Sequence, residues 1–204
     1  MNVHIGTNTA PIFLLSSPEG LGGISPEALV SMERLMQSLD RGESIPASVE
    51  LRSDPMRPAI GDYWEGQGGH YAGDFRGSDG SIYGLIVAPG EDAGRAAWGP
   101  TGERELSDWD GLANTARLRN ECPAAKLAVG FESDEHSDFY LPARRELQLA
   151  AANVPHLFGK ESWYWSSTPY SEDYAWAVDF EYGFTVYRNR FNEFRVRPFR
   201  RFIY

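Results

Sequence analysis

Twelve aromatic residues lie between Trp163 and Phe194, and they arrive in short runs broken at Thr168-Pro169 and Tyr182-Gly183. Aromatic and β-branched runs divided by Gly and Pro read as consecutive antiparallel strands, so the last third of the chain is expected to form a β meander. A meander this short cannot bury twelve large rings. Tyr and Asn with a few charges, interleaved with core aromatics, is also the composition of a recognition face. The excess therefore points toward binding rather than chemistry.

The rest of the composition narrows the class. With 204 residues, 42% of them hydrophobic, and a mean hydropathy of −0.43, the sequence reads as a soluble globular chain with room for a true core. No apolar run approaches the length of a membrane span, and Ile12-Phe13-Leu14-Leu15 lacks the basic flank of a secretory signal, so no membrane insertion and no signal peptide are expected. The net charge of −10 is uneven: residues 185–204 hold six Arg against one Glu, about +5, which leaves about −15 on the first 184 residues. An acidic body speaks against nucleic acid as a partner, because phosphate neutralisation needs a basic surface. The terminal Arg residues are expected to pair with that body and to stack on aromatics. Cys122 is the sole cysteine, so no internal disulfide and no thiolate-pair metal site is possible; it reads as a half-buried free thiol.

Two regions are expected. Residues 1–57 are rich in Pro and carry one helical signal, with Ser25 as N-cap, Pro26 at the first helical position, and Leu29, Met32, Leu35, Met36 and Leu39 on one stripe before Gly42. This reads as an extended N-terminal arm with one helix, whose stripe faces either its own domain or another subunit. Residues 58–204 read as one α+β domain. Strands are expected around Tyr63-Trp64 and over 81–89, with a turn at Ser78-Asp79-Gly80. Short helices are expected after Asp110-Gly111, from Pro123 through Ala128, and after Pro142 to a stop before Pro155.

Several of these segments together resemble one family. Phe139-Tyr140-Leu141-Pro142-Ala143-Arg144-Arg145-Glu146-Leu147 is similar to its aromatic-x-Leu-Pro-Ser-x-x-Glu-Leu motif, and Tyr164-Trp165-Ser166-Ser167-Thr168 to its Tyr-Trp-Ser-Ser-Thr motif. Ala175-Trp176, Phe180 with Gly183, and Val196-Arg197-Pro198 resemble its later strands, while Gly84-Leu85-Ile86-Val87-Ala88 and Asp110-Gly111-Leu112-Ala113-Asn114-Thr115 resemble its earlier ones. The family is the DUF1566 (Lcl C-terminal) group. Over roughly residues 60–200 the resemblance implies a C-type-lectin-like fold, related to the formylglycine-generating-enzyme fold and to the variable proteins of diversity-generating retroelements. Ala143 stands where the family has Ser, removing a helix cap, and Phe199 replaces an aliphatic residue. The calcium-binding triplets of calcium-dependent lectins are missing, and one cysteine cannot supply the paired cysteines of a formylglycine-generating copper site. Neither a metal nor another cofactor is expected.

Within that frame Trp165, Trp176 and Phe180 are expected to pack the core, and the hydroxyls of Ser166, Ser167 and Thr168 to satisfy backbone groups near Pro169 rather than act as nucleophiles. Asp134-Glu135-His136-Ser137-Asp138 is read as a loop, Glu65 and Asp74 as a carboxylate pair in principle with nothing to fix their separation, and Gly66-Gln67-Gly68-Gly69 as lacking the setting of a phosphate loop. The positions between core residues are where the related variable proteins place ligand contacts. The expected ligand-binding residues are thus Tyr170, Glu172, Tyr174, Tyr182, Tyr187, Asn189, Arg190 and Asn192. Three functions are weighed. One is a receptor-binding or adhesion module recognising a host-surface glycan or protein, such as a bacteriophage tail-fibre tip assembled into a virion in the host cytoplasm, or alternatively a bacterial surface adhesin. The second is a structural decoration or fibre subunit with its aromatic face buried. The third is an enzyme, for which the sequence offers no site; a non-enzyme is expected. The arm is expected to bind other virion proteins or to drive homo-oligomerisation, a trimer by analogy with phage fibres.

Overall fold

A computed structural model describes residues 57–204. The helix expected at Pro26, and the arm over 1–57 except Arg57 itself, lie outside the described residues.

The described chain is mixed α+β. In order it forms β1 (Tyr63–Trp64), β2 (Gly69–Arg76), β3 (Ile82–Val87), β4 (Arg95–Ala97), α1 (Gly111–Leu118), α2 (Pro123–Val129), α3 (Arg144–Asn153), a 3-10 turn (Pro155–Leu157), then β5 (Tyr164–Pro169), β6 (Tyr174–Val178), β7 (Thr185–Asn189), β8 (Glu193–Arg195) and β9 (Phe199–Phe202). These make a four-stranded antiparallel sheet, β1-β2-β3-β9, and a five-stranded sheet, β4-β8-β5-β6-β7. Asp110 caps α1 by accepting from the Ala113 amide at 2.9 Å, and Cys122 caps α2 through Sγ ahead of Pro123. The Cys122 side chain is fully buried rather than half-buried, and burial pushes its thiol up to about 11.

The meander holds for β5, β6 and β7, which pair antiparallel in turn, with Gly183 at φ 77° in the β6–β7 turn. It then ends. β8 pairs with β4 and touches β5 through one parallel bridge, and β9 crosses to the first sheet to pair with β3. Phe199 accounts for the crossing: it is fully buried in the core that the first sheet covers.

The second sheet has apolar partners on both faces, which is where much of the aromatic surplus goes. Alternation along β5 sends Tyr164 into a cluster with Tyr83, Leu85, Leu147, Phe158 and Phe180, and sends Trp165 into a second cluster with Trp98, Leu118, Ala124 and Phe194. Phe158 and Phe180 stack with ring centroids 3.7 Å apart. Rings left exposed after this packing are Tyr170, Tyr174, Tyr182, Phe184, Tyr187, Phe191 and Tyr204 in this third of the chain.

Candidate functional site

The β6–β7 register pairs Trp176 with Tyr187 and Tyr174 with Asn189, so these four side chains share one face of the sheet. Farther along that face the sheet meets α3, where Gln148 Nε2 donates to Thr185 Oγ1 at 2.9 Å. Cover by the helix stops at its first turn, where the Arg144 guanidinium lies 4.6 Å from the Trp176 ring centroid. Beyond it four rings gather. Tyr170 stacks on Tyr187 (4.2 Å, 8°), stands edge-on to Trp176 (5.0 Å, 81°), and Tyr174 stands edge-on to Tyr187 (5.7 Å). Tyr170 and Tyr187 remain about half exposed, at 50% and 47%.

An open groove of about 860 Å³ runs beside this cluster. One wall is the segment Glu103–Asp108 without Ser107; the other is Thr168–Glu172, and the half-buried Trp176 also lines it. Both walls are pinned by buried polar groups. Asn114 clamps the first wall, its Oδ1 accepting from the Ser107 amide (2.8 Å) while its Nδ2 donates to the Ser107 carbonyl (2.7 Å). Thr168 Oγ1 donates to that carbonyl (3.0 Å), and Arg144 pairs with Asp108 at 2.6 Å.

Arg190 fixes the second wall to the first. Its guanidinium donates to the carbonyls of Pro100 and Gly102 (3.0 Å each) and of Ser171 (2.5 Å), and lies 4.4 Å from the Trp98 ring centroid. The Gly102 amide in turn donates to the Glu172 carbonyl at 3.0 Å. Arg190 is fully buried, and burial pulls its pKa below the usual arginine range. The expectation that it contacts ligand is corrected: the chain turns after β7, sends this side chain inward, and spends its donors on loop carbonyls.

The other expected residues divide. Tyr170 and Glu172 line the groove, and Tyr174 and Tyr187 join Tyr170 in the ring cluster beside it. Asn189 shares the face, but its Oδ1 accepts from the Phe191 amide (3.0 Å), and the exposed Asn192 belongs to the same turn, donating its amide to the Asn189 carbonyl. Tyr182 lies in the β6–β7 turn, where it stacks with Phe184 (6.0 Å) and touches none of the four clustered rings within ring-contact distance. Trp176, expected as core, instead lines the groove. The wall from Glu103 to Asp108 carries no motif and no periodicity; no local signal marks it.

Among the described residues the one fully buried carboxylate lies elsewhere. Glu146 is fully buried, and its Oε1 accepts from Tyr83 Oη (2.9 Å), Tyr140 Oη (2.8 Å) and Arg201 Nη2 (2.9 Å), its Oε2 from the amides of Ala143 (2.7 Å) and Gly111 (3.1 Å). Burial pushes the carboxyl upward, while Arg201 and the amide and hydroxyl donors pull it back. Every acceptor position is occupied, so this group joins α1, α3 and β9 structurally. Thr168 Oγ1 also accepts from the Arg144 amide (3.0 Å), supplying α3 with the cap that Ala143 lacks. Ser166 donates to the Trp176 carbonyl and Ser167 accepts from Asn114, in keeping with hydroxyls that satisfy polar groups around the bulged β5–β6 pairing.

The Asp134–Asp138 loop is tied in three directions. Asp134 accepts from Tyr63 Oη (2.9 Å) and the Gly68 amide, His136 meets the Gly66 carbonyl, and Asp138 pairs with Arg200 (2.5 Å). Of the six terminal arginines, Arg195, Arg200 and Arg201 pair with carboxylates as expected, whereas Arg188, Arg190 and Arg197 lie over Trp163, Trp98 and Phe158 and donate to backbone carbonyls. Arg195 pairs with Glu91, Asp92 and Glu161; Arg201 pairs with Asp110 and Glu146 and lies over Tyr83. Among the described residues no group of three His, Cys, Asp or Glu side chains could hold a metal ion, and no helix is long and apolar enough to cross a membrane. No protein-family model and no curated protein matches the chain.

Proposed function

We propose that this protein is a recognition module: a C-type-lectin-like domain of the DUF1566 kind that binds a host-surface ligand through the face built by Tyr170, Tyr174, Trp176 and Tyr187. The observation that carries the reading is the four-ring cluster itself, its three tyrosines exposed beside an open groove whose walls are held by Asn114, Thr168 and Arg190. Stacked Tyr rings offer large contact area with little side-chain entropy left to lose, and rigid walls avoid an ordering cost on binding. The family-like motifs fall at nodes of the frame, with Asp110 and Glu146 capping helices and Trp165 in the core, which supports the resemblance. The setting we favour is a bacteriophage tail-fibre tip or other virion appendage, its arm over 1–57 joining it to other virion proteins or to its own copies.

The test uses fluorescently labelled full chain on a panel of bacterial strains. Tyr187→Ala is expected to leave the thermal unfolding midpoint within a few degrees and to abolish attachment to any strain the parent binds. Attachment that survives Tyr187→Ala and Tyr170→Ala unchanged overturns the assignment of the face. A decoration or fibre subunit would behave differently, losing assembly rather than attachment on the same substitutions.

A further inference from the structure

We infer that the groove beside the tyrosine cluster takes a basic segment of a partner protein, with a Lys or Arg side chain seated against Tyr170 and the carboxylates of Glu103, Glu105 and Glu172. This rests on the recognition reading and names the chemistry its groove selects. Of the cations at the groove, Arg104 pairs with Glu121 at 2.7 Å and Arg144 with Asp108 at 2.6 Å, while Arg117 and Arg190 donate to the carbonyls of Glu105 and Ser171; the lining carboxylates Glu103, Glu105, Asp108 and Glu172 outnumber the lining cation Arg104. Glu103, Glu105 and Glu172 line it, are exposed, and form no ion pair among the described residues. The groove is thus left net negative, with an aromatic wall.

The molecule already uses this chemistry on itself next door. Arg144 lies on the face of Trp176 while pairing with Asp108, an aromatic surface and a carboxylate sharing one guanidinium. Tyr170 with Glu172, Glu103 and Glu105 offers the same combination with the cation missing. The chain's own first 56 residues are a poor complement, since they carry three Arg against seven carboxylates. A second copy is no better matched overall, since the whole chain is at −10. Anionic glycans are repelled by the same field. Charge complementarity selects a basic polypeptide from outside.

The experiment is calorimetric titration of the full chain with a hexa-arginine peptide, with hexa-glutamate as the reverse-charge control, at about 150 mM salt, where the Debye length of about 8 Å suppresses long-range attraction. Two triple variants remove the same charge: Glu103→Gln with Glu105→Gln and Glu172→Gln in the groove, and Glu65→Gln with Glu132→Gln and Glu135→Gln outside it. Thermal unfolding of each establishes that it is folded. The groove variant is expected to lose affinity for hexa-arginine by about tenfold or more and the outer variant by less than about twofold, because only close contacts survive screening. Equal weakening in both overturns the proposal in favour of net-charge attraction. Groove-dependent binding of a chitosan oligosaccharide with none of hexa-arginine overturns the choice of a polypeptide. If the groove variant keeps its hexa-arginine affinity while Tyr187→Ala loses cell attachment, the groove assignment falls and the recognition face stands. Groove-dependent peptide binding with attachment untouched by Tyr187→Ala upholds the groove and removes the face.

Discussion

A carboxylate with no access to solvent persists only when its charge is answered, and Glu146 is answered by five donors from α3, the Gly111 amide, two tyrosines and Arg201. Glu146→Gln keeps the shape but leaves Arg201 with one buried partner fewer and turns one acceptor into a donor. A loss of about 3–5 kcal/mol in denaturant unfolding is expected, and a loss under about 1 kcal/mol would show the guanidinium is adequately held by Asp110. Gly111 is part of the same node. A Cβ there would sit 2.4 Å from Glu146 Oε2 and 2.5 Å from the Ala143 nitrogen, so Gly111→Ala is expected to destabilise by a comparable amount. Arg190 acts at the groove. Arg190→Met leaves the Pro100, Gly102 and Ser171 carbonyls without their donor and is expected to cost about 2–4 kcal/mol, with the Gly102 amide exchanging faster with deuterium. Unchanged exchange at Gly102 would mean the walls hold without this pin.

At the level of elements, the helix starts were legible because they rest on local chemistry: Asp110 before α1, Pro123 at the first position of α2, and the stop before Pro155. The strands of the meander were legible from their aromatic alternation. The departure of β9 was not, because the segment that leads to it, Val196-Arg197-Pro198, gives no sign of which sheet the next strand joins; that is decided by where Phe199 finds a buried site. The candidate site shows the same division. Tyr170, Tyr174 and Tyr187 could be named from the family resemblance together with the density of Tyr; Arg190 turns inward because the chain turns after β7, and Trp176, two residues from Tyr174 on β6, shares its face by strand alternation. Beside the end of β9, the Asp74 carboxylate, on β2, accepts from Tyr204 Oη and Tyr71 Oη (2.6 Å) and pairs with Arg57 (2.8 Å). Partial burial pushes its pKa up, but those hydrogen bonds and the Arg57 guanidinium outweigh it and hold it below the usual aspartate value. A carboxyl depressed on folding contributes stability that is complete above the unfolded pKa of about 3.9 and is lost as pH falls through the folded value. The Tyr204 ring resonances in an NMR titration are therefore expected to move toward free-chain positions only below about pH 4. In Asp74→Asn that acid transition should vanish, and its persistence would place the responsible group elsewhere.

At the scale of the molecule, the described domain uses Arg144, Arg190, Arg195, Arg200, Arg201 and its buried hydroxyls to hold itself together, and leaves Tyr170, Tyr174, Tyr187 and a few glutamates outside. A packing subunit would bury the same rings against neighbours, so their exposure on the assembled protein is what separates the recognition reading from a structural one. Hydroxyl-radical footprinting of the full chain, free and then bound to cells of a strain it attaches to, reads the difference ring by ring. If the face is the contact, Tyr170, Tyr174 and Tyr187 are oxidised readily in the free chain and protected on cells, while buried Tyr83, Tyr140 and Tyr164 stay unreactive throughout. Protection of the three rings already in the free chain, or oxidation that attachment leaves unchanged, would contradict a recognition face at this site.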